Sequence, residues 1–150
     1  MQRRSFLRSA LSVVALAVGW LKPRHAHAAE WSKDAFSART VDEALKHLYG
    51  SATPTPSANV QLQAPFQASD GARVAITVST KLTDVQSISI LVDKNPRPLA
   101  AHVTPRGDTA AYFSTTIKMA ATSDVRCIIK TGDRLYSAKQ TIKVTVGGCG

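Results

Sequence analysis

The residue with the clearest potential for covalent chemistry is a cysteine near the carboxyl end, in the segment Gly147-Gly148-Cys149-Gly150. A cysteine thiolate is a nucleophile and can form covalent bonds to sulfur. Glycine loses much conformational freedom on ordering, so the three glycines predict a flexible arm over residues 147–150. Fully extended, residues 147–149 reach about 10 Å beyond Val146. Such a thin arm could present its thiol inside a narrow pocket of another protein.

A second cysteine, Cys127, shares one face of a candidate strand with Val125 and Ile129. This position predicts a small, buried, hydrophobic side chain. Two cysteines in an oxidising compartment also allow an internal disulfide between Cys127 and Cys149. A bridge between the Cys149 residues of two chains is a further alternative. The strand position favours an inert Cys127 and leaves Cys149 as the reactive thiol.

Patterns typical of catalytic and metal sites are not found in the sequence after residue 28. The histidines His47 and His102 are far apart and have no cysteine or carboxylate at metal-ligand spacing. His47 also lies off the apolar stripe of its predicted helix, which indicates a solvated side chain. The aspartates at 70, 93, 108 and 133 stand beside turn residues, and no glycine-rich loop opens a helix. We therefore predict no enzyme activity, no cofactor and no metal site.

The positive charge is concentrated at the amino terminus. The formal net charge is +9, and five of the 19 Lys and Arg residues precede the first acidic residue, Glu30. Residues 2–8 (QRRSFLR) are similar to the twin-arginine export motif, and a short uncharged stretch leads to Ala26-His27-Ala28, an A-x-A cleavage site. We predict a twin-arginine-type signal peptide over residues 1–28 and a periplasmic protein, with a retained membrane anchor as the alternative.

The chain after the signal carries an ordinary charge. Its remaining 14 Lys and Arg residues against 10 acidic residues leave a net charge of +4. This gives no indication of nucleic acid binding or of membrane attachment by the mature protein. The basic excess is therefore mostly an export signal.

A short helix precedes the strands. Residues 40–43 (TVDE) match a capping box, in which a threonine hydroxyl and a glutamate carboxylate satisfy free N–H groups at a helix start. Val41, Leu45 and Leu48 recur at helical spacing, and Gly50 suits the end of the helix. Residues 51–57, with two prolines, are typical of a linker. We therefore assign residues 29–58 to an N-terminal helix and linker.

From Asn59 onward the apolar residues alternate with a period of two, which is typical of β-strands. About seven short strands are separated by regular turn signals, which predicts an all-β chain with an immunoglobulin-like antiparallel β-sandwich over residues 59–146. In the last strand, Ile142, Val144 and Val146 are expected on one side. The candidate strands are 60–62, 74–78, 85–92, 100–104, 112–117, 125–129 and 142–146.

The chain resembles the SoxY family, the sulfur-carrier subunits of the bacterial thiosulfate-oxidising Sox system, over essentially its whole length after the signal. The terminal motif is the most specific, and a twin-arginine signal is also similar to that of the family. The segments that carry the resemblance are 48–50 (LYG), 60–65 (VQLQAP), 93–99 (DKNPRPL), 117–119 (IKM), 122–125 (TSDV) and 143–150 (KVTVGGCG).

The resemblance implies a function and a set of partners. It implies an immunoglobulin-like sandwich that pairs with SoxZ, as a heterodimer or higher oligomer, and holds thiosulfate-derived sulfur covalently on Cys149. It further implies transient partners: SoxAX would attach thiosulfate oxidatively, SoxB would release sulfate, and SoxCD, where present, would oxidise the remaining sulfur. The alternative function is a periplasmic structural or interaction sandwich that uses Cys149 for disulfide cross-linking.

The chain departs from the usual family pattern at three places. Cys127 is an extra cysteine, Thr116 stands where an arginine is common, and the pattern usually continues with a further glycine after Gly150. Residues 94–98 could contact SoxZ or an enzyme, but Asn-Pro and Pro-x-Pro favour a tight connection between strands. Residues 118 and 119 end a candidate strand, and they could either make contacts at the edge of the sheet or belong to an interface.

Overall fold

The computed structural model of the protein describes residues 32–50, 53–106 and 112–146. The predicted signal peptide over 1–28 and the predicted arm over 147–150 lie outside these ranges. Residues 32–146 belong to one compact unit. Within the described ranges, no helix has the length and apolar character needed to cross a membrane.

Two short helices precede a series of strands. The described helices are α1 (Lys33–Ser37) and α2 (Val41–Tyr49). The described strands are β1 (Thr55–Pro56), β2 (Val60–Gln63), β3 (Gln67–Ala68), β4 (Val74–Thr80), β5 (Val85–Val92), β6 (Leu99–Val103), β7 (Tyr112–Ile117), β8 (Ser123–Thr131) and β9 (Arg134–Val144).

Helix α2 begins and ends as the sequence predicts. The Thr40 hydroxyl accepts a hydrogen bond from the Glu43 N–H at 3.2 Å, and the Glu43 carboxylate accepts one from the Arg39 N–H at 3.0 Å. At the other end, Gly50 has a φ of +73°, and its N–H donates to the Lys46 carbonyl at 2.9 Å. Both ends therefore have capping interactions, which fixes the helix length.

The strands form two sheets. The larger has the order β1-β9-β8-β5-β6 with β3 also paired to β9, and the smaller has the order β2-β4-β7. The pairs β5–β6, β5–β8, β8–β9, β2–β4 and β4–β7 are antiparallel. The predicted immunoglobulin-like sandwich is confirmed.

Two short strands that the sequence did not predict run parallel to β9. In β1, Thr55 pairs with Tyr136, and in β3, Gln67 pairs with Lys143, so both ends of the β9 edge are covered. Pro56 in β1 has no N–H to donate, which suits a strand at the edge of a sheet. Part of the predicted linker therefore belongs to the larger sheet.

The hydrophobic core lies between the two sheets. It is built from the residues that alternate along the inner strand faces, and the fully buried ones with large side chains include Ile76, Val78, Ile88, Ile90, Val125, Ile129 and Ile142. This alternation is the period-two pattern of the sequence. The sandwich core therefore includes the face on which Cys127 lies.

The outer face of the larger sheet is buried as well. Leu91, Leu99, Ile128 and Leu135 form a second cluster with Ala35, Ala38 and Ala44 of the helical segment. Strand β5 is consequently buried on both faces from Ser87 to Val92. The helices thus form a third layer on the sandwich, and they restrict which parts of the sheet a ligand or a partner can reach.

Candidate functional site

The described residues end at Val146, three positions before Cys149. The predicted site residues Gly147, Gly148, Cys149 and Gly150 therefore lie outside the described residues. What the structure gives is the attachment point of this segment. We call residues 143–146, together with residues 66–71 that pair with them, the arm root.

Hydrogen bonds hold the two segments of the arm root to each other and to the sandwich. The Thr145 N–H donates to the Ala68 carbonyl at 3.0 Å, and the Gly71 N–H donates to the Val146 carbonyl at 2.7 Å. The Thr122 hydroxyl accepts a bond from the Val144 N–H at 2.9 Å, just where β9 ends. The chain thus leaves the sandwich from a fixed position.

The prediction that Ile142, Val144 and Val146 lie on one side of the last strand is wrong for Val146, because the strand ends at Val144. Ile142 is fully buried, but the Val146 side chain is 62% exposed. The reason is that β9 ends at Val144, and the next two residues follow residues 68–71 instead of β8. Local alternation of residue types gives no sign of where a strand changes its partner.

The arm root exposes apolar and cationic groups that the sequence analysis did not single out. Phe66 is 69% exposed, and the Lys143 ammonium lies 5.1 Å from its ring centroid. A cation–π contact of this kind contributes about 0.5–1 kcal/mol at an exposed site. Because Phe66 and Lys143 are far apart in sequence, their contact follows only from the parallel pairing of β3 with β9.

Cys127 is buried, as expected. Its side chain has no exposed surface and belongs to the core between the sheets, where it is a free thiol. Burial raises the pKa of the Cys127 thiol to about 12, because a thiolate loses its hydration there. A thiol that is neither accessible nor ionised is a poor nucleophile.

The structure also argues against the alternative of a Cys127–Cys149 disulfide. Cys127 lies opposite Ala138 in the β8–β9 pair, and Val144 is six residues farther along β9. At about 3.3 Å per residue this is roughly 20 Å. From Val146, which hydrogen bonds hold, Cys149 has a reach of only about 10 Å. The bridge would require both β9 and the core to open.

The two thiols are expected to differ in reactivity. In a Cys149→Ala variant, native protein near neutral pH should show almost no reaction with a soluble aromatic disulfide, and denaturant should expose one thiol. Absorbance of the released chromophore measures both. A Cys127→Ala variant serves as the control and should react in the native state. Fast labelling of native Cys127 would contradict the burial described here.

A cluster of polar side chains lies beneath the end of α2. The Tyr49 hydroxyl lies 2.6 Å from the Ser89 hydroxyl and 3.2 Å from that of Ser87. The Ser89 hydroxyl is also 2.8 Å from Nδ1 of His102, which pairs with Ser89 across β5 and β6. Burial raises the pKa of Tyr49 and lowers that of His102. A serine next to a histidine can act as a nucleophile, but Ser89 is fully buried, so this cluster stabilises the helix–sheet contact.

The stability of the fold is expected to fall in mild acid through His102. Its folded-state pKa lies below the ordinary value of about 6.5, so below that pH the unfolded chain binds more protons. The stability of the fold with a neutral His102 is fully present above about pH 6.5. It falls as the pH is lowered, because protonation of His102 favours the unfolded chain. Urea unfolding at several pH values measures it.

The matched variants for this pH effect are His102→Asn and His47→Asn. The first should flatten the pH dependence, and the second removes an exposed histidine of α2 as the control. Equal pH slopes in the wild type and in His102→Asn would contradict the assignment.

The connection after β5 is a tight structural turn. Asn95 donates from Nδ2 to the Lys118 carbonyl at 2.8 Å, and its Oδ1 accepts from the Ala120 N–H at 2.9 Å. Asp93 accepts two bonds of 2.7 Å from Arg126. Met119 is fully buried, which places it in the core instead of an interface. These contacts support the tight connection over the alternative of a partner contact.

A cleft of about 400 Å³ lies between α2, β1 and the outer face of the larger sheet. Its apolar lining includes Leu45, Pro54 and Ile128, and its cationic groups are Arg126 and Lys139. These cations already form ion pairs with Asp93 and Asp124. Across residues 32–50, 53–106 and 112–146, no group of three or more His, Cys, Asp or Glu side chains could hold a metal ion.

Comparison with known proteins gives the family. The family model described as Sulfur oxidation protein SoxY matches residues 45–149, well over half of the chain. The chain belongs to the SoxY family. The resemblance found in the sequence is therefore confirmed, and the SoxY match includes the position of Cys149. No curated protein sequence matches the chain.

A solved SoxY structure agrees with this assignment. The sulfur carrier protein SoxY from Chlorobium limicola f thiosulfatophilum is 30% identical, with a TM-score of 0.65, over 71% of this chain and 97% of its own. A structure of the bacterial superantigen toxic shock syndrome toxin-1 is 15% identical, with a TM-score of 0.41, over 57% of this chain and 97% of its own. Because the chain has the fold of SoxY and belongs to the SoxY family, it is a sulfur-oxidation protein.

Proposed function

We propose that this chain is a covalent sulfur carrier in thiosulfate oxidation, with Cys149 as the attachment residue. The observation that carries the proposal is the contrast between the two cysteines. Cys127 is fully buried with a pKa raised to about 12, whereas Cys149 lies three residues beyond the exposed Val146 and within the range that the SoxY family matches. In support, the Chlorobium relative is described as a sulfur carrier protein.

The proposed chemistry at Cys149 is a cycle of loading and release. The Cys149 thiolate and thiosulfate join by an S–S bond to give Cys–S–S–SO₃⁻, and the two electrons released pass to a c-type cytochrome partner, SoxAX. Water, acting in SoxB, then cleaves the bond to the sulfonate group, which gives sulfate, two protons and a Cys–S–S⁻ persulfide. Where SoxCD is present, the outer sulfur of the persulfide takes oxygen from three waters to give Cys–S–SO₃⁻, and six protons are released while six electrons pass to an electron acceptor. A second hydrolysis then gives sulfate and two protons and restores the Cys149 thiolate.

The chain itself acts as the carrier in this scheme, and partner enzymes carry out each step. The residues on either side of Cys149 are glycines without charged side chains. A free cysteine has a pKa near 8.5, so only a few per cent is thiolate at neutral pH. We therefore propose that groups in the partner active sites activate the thiol once the arm has entered.

Two further parts of the proposal concern partners and compartment. The chain pairs with SoxZ, and it works in the periplasm after export by the twin-arginine route. The export motif at residues 2–8 and the A-x-A site at 26–28 support the compartment. The exposed Phe66 and Val146 at the arm root offer apolar contact area beside the arm, where an enzyme must dock to receive Cys149.

Intact-mass spectrometry of the protein isolated from thiosulfate-oxidising cells tests the function. Adducts of sulfur and thiosulfate are expected on the wild-type chain, and peptide mapping should place them on Cys149. They should persist in Cys127→Ala and vanish in Cys149→Ala. Disulfide-linked dimers without sulfur adducts would instead favour a cross-linking role and contradict the carrier function.

A further inference from the structure

We propose that Asn95 is a positioning residue for the C-terminal arm. It is at least 24 residues from every residue of the arm root in sequence, and its side chain bonds to Lys118 and Ala120, which lie outside the arm root. It acts through a chain of hydrogen bonds that passes through residues 118–120 and Gly71. The expected effect on sulfur transfer rests on the proposed carrier function of Cys149. The hydrogen-bond connection between Asn95 and Val146 does not depend on it.

The first link is the clamp that Asn95 places on residues 118–120. Its side-chain amide uses both of its polar ends, donating to the Lys118 carbonyl at 2.8 Å and accepting from the Ala120 N–H at 2.9 Å. Asn95 is itself held, because its own N–H donates to the Val92 carbonyl at 3.2 Å. The peptide groups on both sides of Met119 are therefore fixed by one side chain.

The second link joins this loop to Gly71. The Met119 side chain is fully buried in the sandwich core, which fixes where the residue sits. The direction of its N–H depends on the backbone around it, which the Asn95 clamp orients. That N–H donates to the Gly71 carbonyl at 2.7 Å. Ala or Gly at position 95 has no side-chain amide, so neither residue could make these two hydrogen bonds to Lys118 and Ala120.

The third link joins Gly71 to the origin of the arm. The Gly71 N–H donates to the Val146 carbonyl at 2.7 Å, so Gly71 is bonded to Met119 on one side and to Val146 on the other. The Asp70 carboxylate accepts from the Ala72 N–H at 2.7 Å and fixes the turn between them. Three successive links thus connect Asn95 to Val146: two parallel hydrogen bonds from the Asn95 side chain, one bond from Met119 to Gly71 and one from Gly71 to Val146.

The length of the tether gives this connection its functional meaning. With Val146 held, Cys149 samples the space within about 10 Å of a fixed point. If Val146 comes free while the Ala68 carbonyl still holds Thr145, the four residues beyond Thr145 reach about 14 Å. The thiol then spreads over a larger volume, and its effective concentration at a docked active site falls by about two- to fivefold.

The structural arm of the test compares Asn95→Ala with Thr80→Ala by hydrogen exchange of backbone amides in the full chain. The Thr80 hydroxyl also makes two bonds, donating to the Asn59 carbonyl at 2.7 Å and accepting from the Leu82 N–H at 3.1 Å. It lies at the opposite end of β4, six residues from Val74. Thr80→Ala therefore removes similar bonds away from the arm root.

Exchange at the Gly71 and Met119 amides is expected to speed up at least about tenfold in Asn95→Ala relative to Thr80→Ala. Equal exchange in the two variants would overturn the proposal. If Asn95→Ala does not fold, Asn95→Asp replaces it, since an aspartate keeps the acceptor for Ala120 but loses the donor to Lys118. Faster exchange at Gly71 is then expected again, and unchanged exchange overturns the proposal.

The functional arm measures sulfur transfer from Cys149 to a purified partner enzyme. Asn95→Ala should raise KM by about two- to fivefold and leave kcat unchanged, because only the search for the active site changes. If the wild-type chain loads sulfur but KM is the same for Asn95→Ala and the wild type, the positioning role is overturned. Failure of the wild type to load sulfur would instead overturn the proposed function, and the exchange result would stand without it.

Discussion

Deleting Gly147 and Gly148 is expected to reduce sulfur transfer between Cys149 and partner enzymes by about a hundredfold or more. The deletion leaves Cys149 directly after Val146, which the Gly71 N–H holds against the sandwich. The reach of the thiol from Val146 falls from about 10 Å to about 3.5 Å. Because a displacement of a reacting atom by as little as about 1 Å can reduce a rate a hundredfold, the loss should be large.

The measurement is single-turnover loading of the purified chain by its partner enzymes. A Gly147→Ala, Gly148→Ala double variant is the matched control, since it keeps the length of the arm and changes only its freedom and width. The deletion should leave the unfolding midpoint and the reaction of Cys149 with a small soluble thiol reagent nearly unchanged. Transfer at the wild-type rate would show that reach does not limit access to the partner site.

Replacing Ile90 with alanine is expected to lower the free energy of unfolding by about 2–5 kcal/mol. Ile90 is fully buried in the core between the sheets, in the middle of β5, where it pairs with Ala101 on one side and Cys127 on the other. The substitution removes three carbon atoms from a position where neighbours on both strands limit collapse. For a domain of this size the loss is a large part of the total stability.

Urea unfolding followed by circular dichroism measures this loss. Val146→Ala is the control, because Val146 is 62% exposed and its truncation should change the free energy of unfolding by less than about 0.5 kcal/mol. A loss below about 1 kcal/mol at Ile90 would mean that the two sheets are not packed as described. Comparable losses at both positions would contradict the difference in burial.

Much of the fold could be predicted because local physics determines it. The capping residues Thr40 and Glu43 and the apolar stripe of α2 are signals within a few positions of each other. The strands at 85–92 and 112–117 have the predicted bounds, and turn residues follow the first of them directly at 93–96. Cys127 could be predicted as buried because it lies on the same face as Val125 and Ile129 in an uninterrupted strand.

What could not be predicted depends on contacts between distant residues. Strands β1 and β3 have two residues each, too few for any alternation, and their parallel pairing with β9 follows from the path of the folded chain. The burial of the two serines of β5 is another feature of this kind. Ser87 and Ser89 stand on the side of β5 opposite Ile88 and Ile90, and only the position of α2 and His102 shows that this side is buried.

The candidate site divides in the same way. The motif at 147–150 could be recognised from the sequence, because glycines around a thiol are a local pattern. The point at which this motif leaves the sandwich could not be located from the sequence, since the bond from Gly71 to Val146 joins residues 75 positions apart. The alternation through Ile142 and Val144 instead suggested that Val146 belonged to the strand.

The inaccessibility of Cys127 also has a practical consequence for studying the protein in solution. A chain with two cysteines usually needs one of them removed before a probe can be attached at a single place. Here the core protects one thiol, so a spin label or fluorophore applied to the folded wild-type protein reports from Cys149. The conformations of the carboxyl end, free and against each partner, can therefore be followed spectroscopically without altering the native sequence.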